Sequence, residues 1–408
     1  MAILDDTTNL IRLYLHHVGT SEVPDEYHLW AVLSTIAAAV GDRVWYKKFA
    51  DTKLIPNLYV LLLGPSGTGK GTAIDISTKF VKDLSRVNAY RGKATAPYLI
   101  DYLSAIKKKQ NGKVVLEDAK LYLVTPELSM SVGSGPFADQ FVKLMTELFT
   151  GGDYLFQEGT RTRGGVDFKN PVINWIGGTT KEWLMQSVTR DAVEGGFFAR
   201  VVAVNADYDP NVRITRPIYP DDRDEVAVEI ARRIKELTFI TGEMSMNGLA
   251  MKVDEQWYTG RQAPSDEAML PTWKRQHDLV LKLAMVMSLA DDVDLIVKAD
   301  HVKRAQMLVR EVSKSLPQLI EYASATREME GIALVRRTIK RFGTIPRYML
   351  MQRVGSRGLT RDRLDAIIET LIQSREVLRM PSNSGAGVVY EWNLPKRTLG
   401  DGGGGSGI

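Results

Sequence analysis

Apolar residues recur at helical spacing through the first fifty positions. Leu10, Ile11, Leu13 and Tyr14 mark one helical face, and residues 30–40 form a second, more apolar helix. The pattern changes at residues 57–63 (NLYVLLL), a short unbroken apolar run that stops at a glycine. A run of that kind predicts a parallel strand buried on both faces. GPSGTGKGT follows at once, and residues 73–84 read as a helix. Further strand-like runs occupy 121–125 (LYLVT), 172–177 (VINWIG) and 200–205 (RVVAVN). Helical stretches separate most of them, so the middle of the chain is expected to be an α/β layered domain with a largely parallel sheet. From about residue 220 the pattern turns helical, over 224–237, 268–290 and 299–323.

The last seventh follows a different plan. Residues 332–342 and 346–354 read as two helices. A third starts at Leu359-Thr360, with Thr360 as N-cap and Leu364, Ile367, Ile368, Leu371 and Ile372 as one apolar stripe. Strands at 376–380 and 388–394 flank the turn PSNSGAG. Three helices followed by a β-hairpin is the winged-helix arrangement of the helix-turn-helix class. The expected organisation is therefore a helical segment (1–50), an α/β core (51–215), a helical lid (216–328), a winged-helix module (329–397) and a flexible glycine-rich tail (398–408).

Composition narrows the chemistry. With 408 residues, 44% hydrophobic and 25% charged, the chain carries ample core for two or three domains and is not a long disordered polymer. It has no cysteine, which excludes disulfides, thiolate zinc sites and cysteine nucleophiles. Its five histidines form no H-E-x-x-H pattern. No apolar run reaches the 18 or so residues of a membrane span, and the acidic start MAILDDTTNL lacks the features of a signal peptide. A cytoplasmic location is the expectation. Net charge is only +4, but residues 331–397 hold thirteen Lys/Arg against five Asp/Glu. That +8 balance suggests an anionic partner for the C-terminal module, nucleic acid first, with a solvated basic face or a protein-docking module as the alternatives. Arg357, Arg361 and Arg363 surround the start of its third helix, where base or phosphate contacts would fall.

Gly64-Pro65-Ser66-Gly67-Thr68-Gly69-Lys70-Gly71-Thr72 fits G-x-x-x-x-G-K between a strand and a helix. Glycines let the backbone curl so that successive N–H groups form an anion nest at a helix N-terminus, and the lysine adds a point charge for β- and γ-phosphates. The position after the lysine, normally a Mg²⁺-binding Ser or Thr, is Gly71; Thr72 or water is left to take that place. A carboxylate at the end of a neighbouring strand completes such a site, to hold Mg²⁺ or activate water. Glu127, in TPELS after the 121–125 strand, stands there, with Pro126 where an acidic residue is usual; capping the next helix is its other role.

Three further features carry candidate chemistry. Thr179 and Thr180 follow the 172–177 strand, where one hydroxyl can meet a γ-phosphate or attacking water and either can cap the next helix. Arg200 follows the turn GGFFA and is a candidate arginine finger across a subunit boundary, with Arg190 as competitor and a plain ion pair as the alternative. Arg161 and Arg163 sit on a glycine-flanked hairpin tip, suited to gripping a phosphate backbone or simply exposed.

Together these parts resemble the phage- and plasmid-encoded P-loop ATPases of DNA replication, a helicase-like family with an AAA+/RecA-type core. The likeness runs from about Pro24 to Ala323. It rests on NLYVLLLGPSGTGKGTA, TPELS, NPVINWIGGTTKEWL, GGFFARVVAV and KRQHDLVLKLAMVMSLA. The resemblance implies ATP and Mg²⁺ as ligands, Lys70 as the nucleotide lysine, Glu127 as the hydrolytic glutamate, Thr179 or Thr180 as sensor and Arg200 as finger. It also implies a homo-oligomeric ring, commonly a hexamer, acting on single-stranded or origin DNA with other replication proteins. Gly71 and Pro126 depart from the family pattern. Two other readings stay open: an ATP-gated initiator or helicase loader that unwinds nothing itself, and a nucleotide kinase, since GKGT occurs in adenylate kinases too.

Overall fold

A computed structural model describes residues 9–49, 52–110, 113–116, 118–133, 136–151, 155–160, 164–187, 196–209, 211–356, 359–381 and 387–393. The chain divides into two compact units, Met1–Glu321 and Tyr322–Ile408. Arg161, Arg163, Arg190, Arg357 and the tail expected at 398–408 lie outside the described residues.

The first unit begins with helices α1 (Leu10–Val18) and α2 (Asp25–Val40), then strands β1 (Val44–Phe49), β2 (Thr52–Leu54) and β3 (Tyr59–Leu63). Next come α3 (Lys70–Thr78), β4 (Ala89–Arg91), α4 (Ala96–Ser104), β5 (Lys107–Gln110), β6 (Lys113–Leu116) and β7 (Asp118–Thr125). Then follow α5 (Leu128–Val132), α6 (Pro136–Leu148), β8 (Leu155–Thr160), β9 (Gly164–Thr179), α7 (Lys181–Ser187) and β10 (Val201–Asn205). The central sheet runs in the order β10-β3-β9-β7-β4, all parallel, with β8 added antiparallel to β9. The mixed α/β class with a parallel sheet thus stands. α3 is shorter than the periodicity suggested, ending at Thr78, and β9 is longer, because its first half pairs with β8 as a ribbon.

All five residues of β3 are buried, and they alternate between two covers. Val60 and Leu62 join the core formed with α2 and α3, whereas Tyr59 meets the rings of Phe149 (4.9 Å) and Trp175 (5.6 Å) on the opposite face. This two-residue period is why the apolar run is unbroken: a strand covered by helices on both sides has no polar face.

A second sheet was not anticipated. β1 pairs in parallel with β11 (Gly242–Met246) and antiparallel with β2, and β12 (Ile296–Val297) extends β11. The stretch read as wholly helical therefore contributes strands, alongside helices Arg223–Leu237, Gly248–Gly260, Leu270–Asp291 and Ala299–Ser313. The helix expected over 299–323 is two helices. Pro317, at the second position of Leu316–Phe342, suits a first turn whose N–H needs no partner. Among the described residues no helix is long and apolar enough to cross a membrane.

Asp291 ties this region to the N-terminus. It accepts hydrogen bonds from Asn9 Nδ2 (2.9 Å), His301 Nε2 (3.1 Å) and Arg304. Burial alone would raise its pKa, but these partners hold it at about 2, against 3.8 for an ordinary aspartate. A depressed folded-state value contributes stability above the unfolded pKa and loses it as pH falls toward the folded one. Asp291→Ala is expected to cost about 3 kcal/mol at neutral pH, because it leaves the buried Arg304 with only the exposed Asp300 as a carboxylate partner and removes the acceptor of Asn9 and His301. The gap to the wild type should close between about pH 4 and pH 2; urea midpoints at pH 7 and pH 3 measure both.

In the second unit, the end of helix Leu316–Phe342 packs with helices Arg347–Gly355 and Arg361–Gln373 and a three-stranded antiparallel sheet, β13 (Thr344–Pro346), β15 (Val388–Trp392) and β14 (Val377–Pro381). Val335, Ile339, Leu350, Leu364, Ile368 and Tyr390 form its core. Thr360 occupies the N-cap position of the Arg361 helix, but its side chain makes no capping hydrogen bond.

Candidate functional site

The glycine-rich loop sits at the C-terminal edge of the parallel sheet, where β3 gives way to α3. Three ties hold it. Gly64 N–H donates to Thr179 O (3.3 Å), Thr68 Oγ1 donates to Pro65 O (2.9 Å), and Tyr27 Oη donates to Leu63 O (2.6 Å). Gly69 is left-handed (φ 77°), and a Cβ there would stand 2.5 Å from Val23 Cγ2, so glycine is required on two counts.

Lys70 opens α3 with only 6% of its surface exposed. Its ammonium donates to Gly64 O (2.8 Å), Pro65 O (2.6 Å) and, at 3.4 Å, Thr68 Oγ1. Burial lowers its pKa, and the nearby Glu127 carboxylate opposes that shift. The lysine is thus a buried cation held over its own loop by carbonyl oxygens, with a carboxylate in electrostatic range.

Strand register gathers the other candidates at this edge. Leu63 pairs with Thr179, and Thr125 pairs with Gly177, so β3, β9 and β7 end side by side. Glu127 follows β7, with an exposed carboxylate that accepts from Ser129 Oγ (2.8 Å). It occupies the N-cap position of α5 but does not cap it through its side chain. Gly178 closes the corner: a Cβ there would lie 2.4 Å from Pro126 O and 3.4 Å from Lys70 Cβ. Larger residues would push the strand end away from the lysine.

The two threonines separate. Thr180 Oγ1 accepts from Trp183 N–H (3.2 Å), as a helix cap does. Thr179 is fully buried, and its Oγ1 has no hydrogen-bond partner among the described residues. A buried unsatisfied hydroxyl costs about 1–3 kcal/mol, and this one stands at the strand end beside the loop.

Gly71 and Thr72 also differ. A Cβ on Gly71 would meet only Pro126 Cβ, at 4.0 Å, so the helix position facing the end of β7 carries no side chain although a hydroxyl would fit. Thr72 lies about 100° further round the helix and is exposed. Among the described residues no three His, Asp or Glu side chains cluster as a metal-ligand set.

A cavity of about 850 Å³ adjoins the loop through Val23, which both lines it and packs on Gly69. Its wall includes the rings of Tyr208 and Tyr219 and the carboxylates of Glu22, Asp25, Asp207 and Asp209. Sequence patterning indicated neither this cavity nor the roles of Val23 and Tyr27. The cavity's lining comes from residues 12–25 and 207–220, segments some 200 positions apart that are joined at the Thr20–Ile218 bridge.

Arg200 lies elsewhere. Val201 pairs with Tyr59, at the opposite end of β3 from Leu63, so Arg200 is about 13 Å or more from the loop's level in the sheet. It donates to Gly196 O (2.8 Å), and burial, reinforced by Arg275, lowers its pKa to about 10. A second cavity of about 40 Å³ there is lined by Arg200, Arg275, Asp278 and Lys282. Lys282, brought to about 7 by burial, donates to Asn57 Oδ1 (2.5 Å) at the base of β3. Within one chain, Arg200 and Lys70 belong to different sites.

In the second unit, Arg361 is exposed and Arg363 half-buried at the start of their helix. The chain matches no protein-family profile, and no curated protein matches it in sequence.

Proposed function

We propose that the chain is an ATP-hydrolysing, ring-forming DNA helicase or translocase serving replication of a phage or other mobile element. The observation that carries this reading is the convergence of Lys70, Thr179 and Glu127 at the C-terminal edge of a parallel sheet, the edge where α/β sheets bind ligands. In this reading the site is a P-loop: residues 64–72 cradle the phosphates of ATP, and Lys70 leaves its loop carbonyls for the β- and γ-oxygens. The 850 Å³ cavity takes the base and ribose, whose hydroxyl and amino groups would donate to its carboxylates. Thr179 supplies the hydroxyl that meets the γ-phosphate or attacking water, and Glu127 accepts the water's proton.

Magnesium fits this donor set only in part. Glu127 offers one exposed carboxylate, Gly71 offers nothing and Thr72 faces solvent, so water fills most of the shell. The ion, when bound, neutralises charge on the phosphoryl oxygens. Arg200 serves a neighbouring copy in a ring, and the second unit is a winged helix for DNA.

Gly71 favours a second reading, an ATP-gated initiator or loader, since a weakly held metal slows hydrolysis without abolishing binding. ATP turnover with and without single-stranded DNA tests the proposal: DNA stimulation with strand displacement supports the motor, ATP-dependent DNA binding without displacement supports the loader, and failure to bind ATP overturns both.

The threonines give a sharper check. Thr180→Ala is expected to cost about 1 kcal/mol of stability through the lost cap, with turnover near wild type. Thr179→Val removes an unsatisfied hydroxyl, so melting should hold or rise while turnover falls by about 10²-fold. Thermal melts beside steady-state rates distinguish the two.

A further inference from the structure

The third helix of a helix-turn-helix module is the expected DNA reader, and here its outward face is poorly suited to a polyanion. Arg361–Gln373 exposes Arg361, Asp362, Ala366, Glu369, Thr370 and Gln373, a face with two carboxylates and one cation. Two other basic residues near it are neutralised: Arg347 is bidentate on Asp365 (2.5 and 2.6 Å), and Arg379 pairs with Glu369 (3.1 Å). Arg336 is likewise taken by Glu376 (2.5 Å).

A group of four cations lies at another corner, where helix Leu316–Phe342 ends and Arg347–Gly355 begins. Arg337, Lys340 and Arg341 are exposed and, at i, i+3 and i+4, share one helical face. Arg353 is exposed beside them, its guanidinium 4.5 Å from the centre of the Phe342 ring. Among the described residues none of these four makes a salt bridge. Tyr348 presents a ring that is 70% exposed, and Phe342 is 38% exposed. Compensation of the helix dipole accounts for Lys340 and Arg341 in the last turn of one helix and for Arg353 in the last turn of the next, but not for Arg337 or the exposed Tyr348 ring.

We propose that this corner, rather than the third helix, is the nucleic-acid surface of the second unit, and that its ligand is a single strand. This rests on the DNA reading above. Cations without carboxylate partners track a phosphate backbone, and exposed rings beside them stack on bases, which only an unpaired strand offers. In a duplex the base faces are covered and the Tyr348 ring would have no partner.

The test is fluorescence anisotropy of a labelled oligothymidine, and of a duplex of equal length, with the full chain across a salt series. The triple variant Arg337→Ala/Arg341→Ala/Arg353→Ala should weaken oligothymidine binding and flatten its salt slope by about 2, at about 0.7 per phosphate contact. Tyr348→Ala should weaken binding roughly five- to hundredfold with the slope unchanged, because stacking releases no counterions. Arg361→Ala/Arg363→Ala should do little. If that double variant flattens the slope and the corner triple does not, the corner is overturned while DNA binding stands. Preference for the duplex overturns the single-strand assignment. A wild-type chain that binds neither probe removes the DNA reading itself.

Discussion

Lys70→Ala is expected to lower ATP turnover by about 10²–10³-fold, the scale for losing one positioned charge at an active site. The structure refines what else the change does. Lys70 is buried at the first turn of α3, and its ammonium bridges two loop carbonyls and a threonine hydroxyl. Removing it frees those oxygens: Pro65 O lies in the exposed part of the loop, where water replaces the donor, while Gly64 O and Thr68 Oγ1 are buried and lose it, at a cost of about 1–3 kcal/mol. The loop's other ties, from Tyr27 to Leu63 and from Gly64 to Thr179, do not involve the lysine. Circular dichroism should therefore stay close to wild type and melting fall only modestly, while nucleotide binding and turnover collapse. Retained turnover at wild-type rate would show that the loop is not the site.

Glu127→Gln should separate binding from chemistry. The amide keeps the side chain's shape and its ability to accept from Ser129 Oγ, and the residue is exposed, so stability is unaffected. What it loses is the capacity to take a proton, which is worth about 10²–10⁴-fold. A fluorescent ATP analogue should still bind. Lys70 loses the charge that counteracts its burial, so its pKa should drop further and binding should weaken earlier as pH rises. Turnover unchanged in this variant would leave Glu127 as a partner of Ser129 and nothing more.

How much of this was legible in the sequence depends on how local the signal is. The loop, the strand before it and the helix after it are contiguous, and the unbroken apolar run of β3 announces burial on both faces. The position of Glu127 followed from the same logic, one strand over. Thr179 and Thr180 could not be told apart, because their difference is one of orientation: a strand-end hydroxyl turned inward against one turned onto α7. The four-stranded sheet was missed because β1 (VWYKKF) mixes apolar and charged residues, and its partner GEMSM lies some 200 positions away. β12 has only two residues, too few for any period to register. The hairpin around residues 159–165 was legible from its glycine-flanked tip, but not that its second strand runs on unbroken into the 172–177 strand as one β9. Charge counting found the basic C-terminal segment but not its free cations, since which arginines are neutralised depends on Glu376, Asp365 and Glu369 meeting them across the fold.

The pairing of β1 with β11 has a consequence for biosynthesis. β1 leaves the ribosome early, yet its parallel neighbour begins at Gly242, and Asn9 meets Asp291. At roughly 5–20 residues per second, the N-terminal strand waits some 10–40 s for its partner to be made. During that interval β1 and β2 form an unpaired edge of the kind that recruits other chains. Lys47, Lys48 and Lys53 lie along it. They make that edge positively charged while it waits, and repulsion between nascent chains keeps it available for the strand that has yet to arrive.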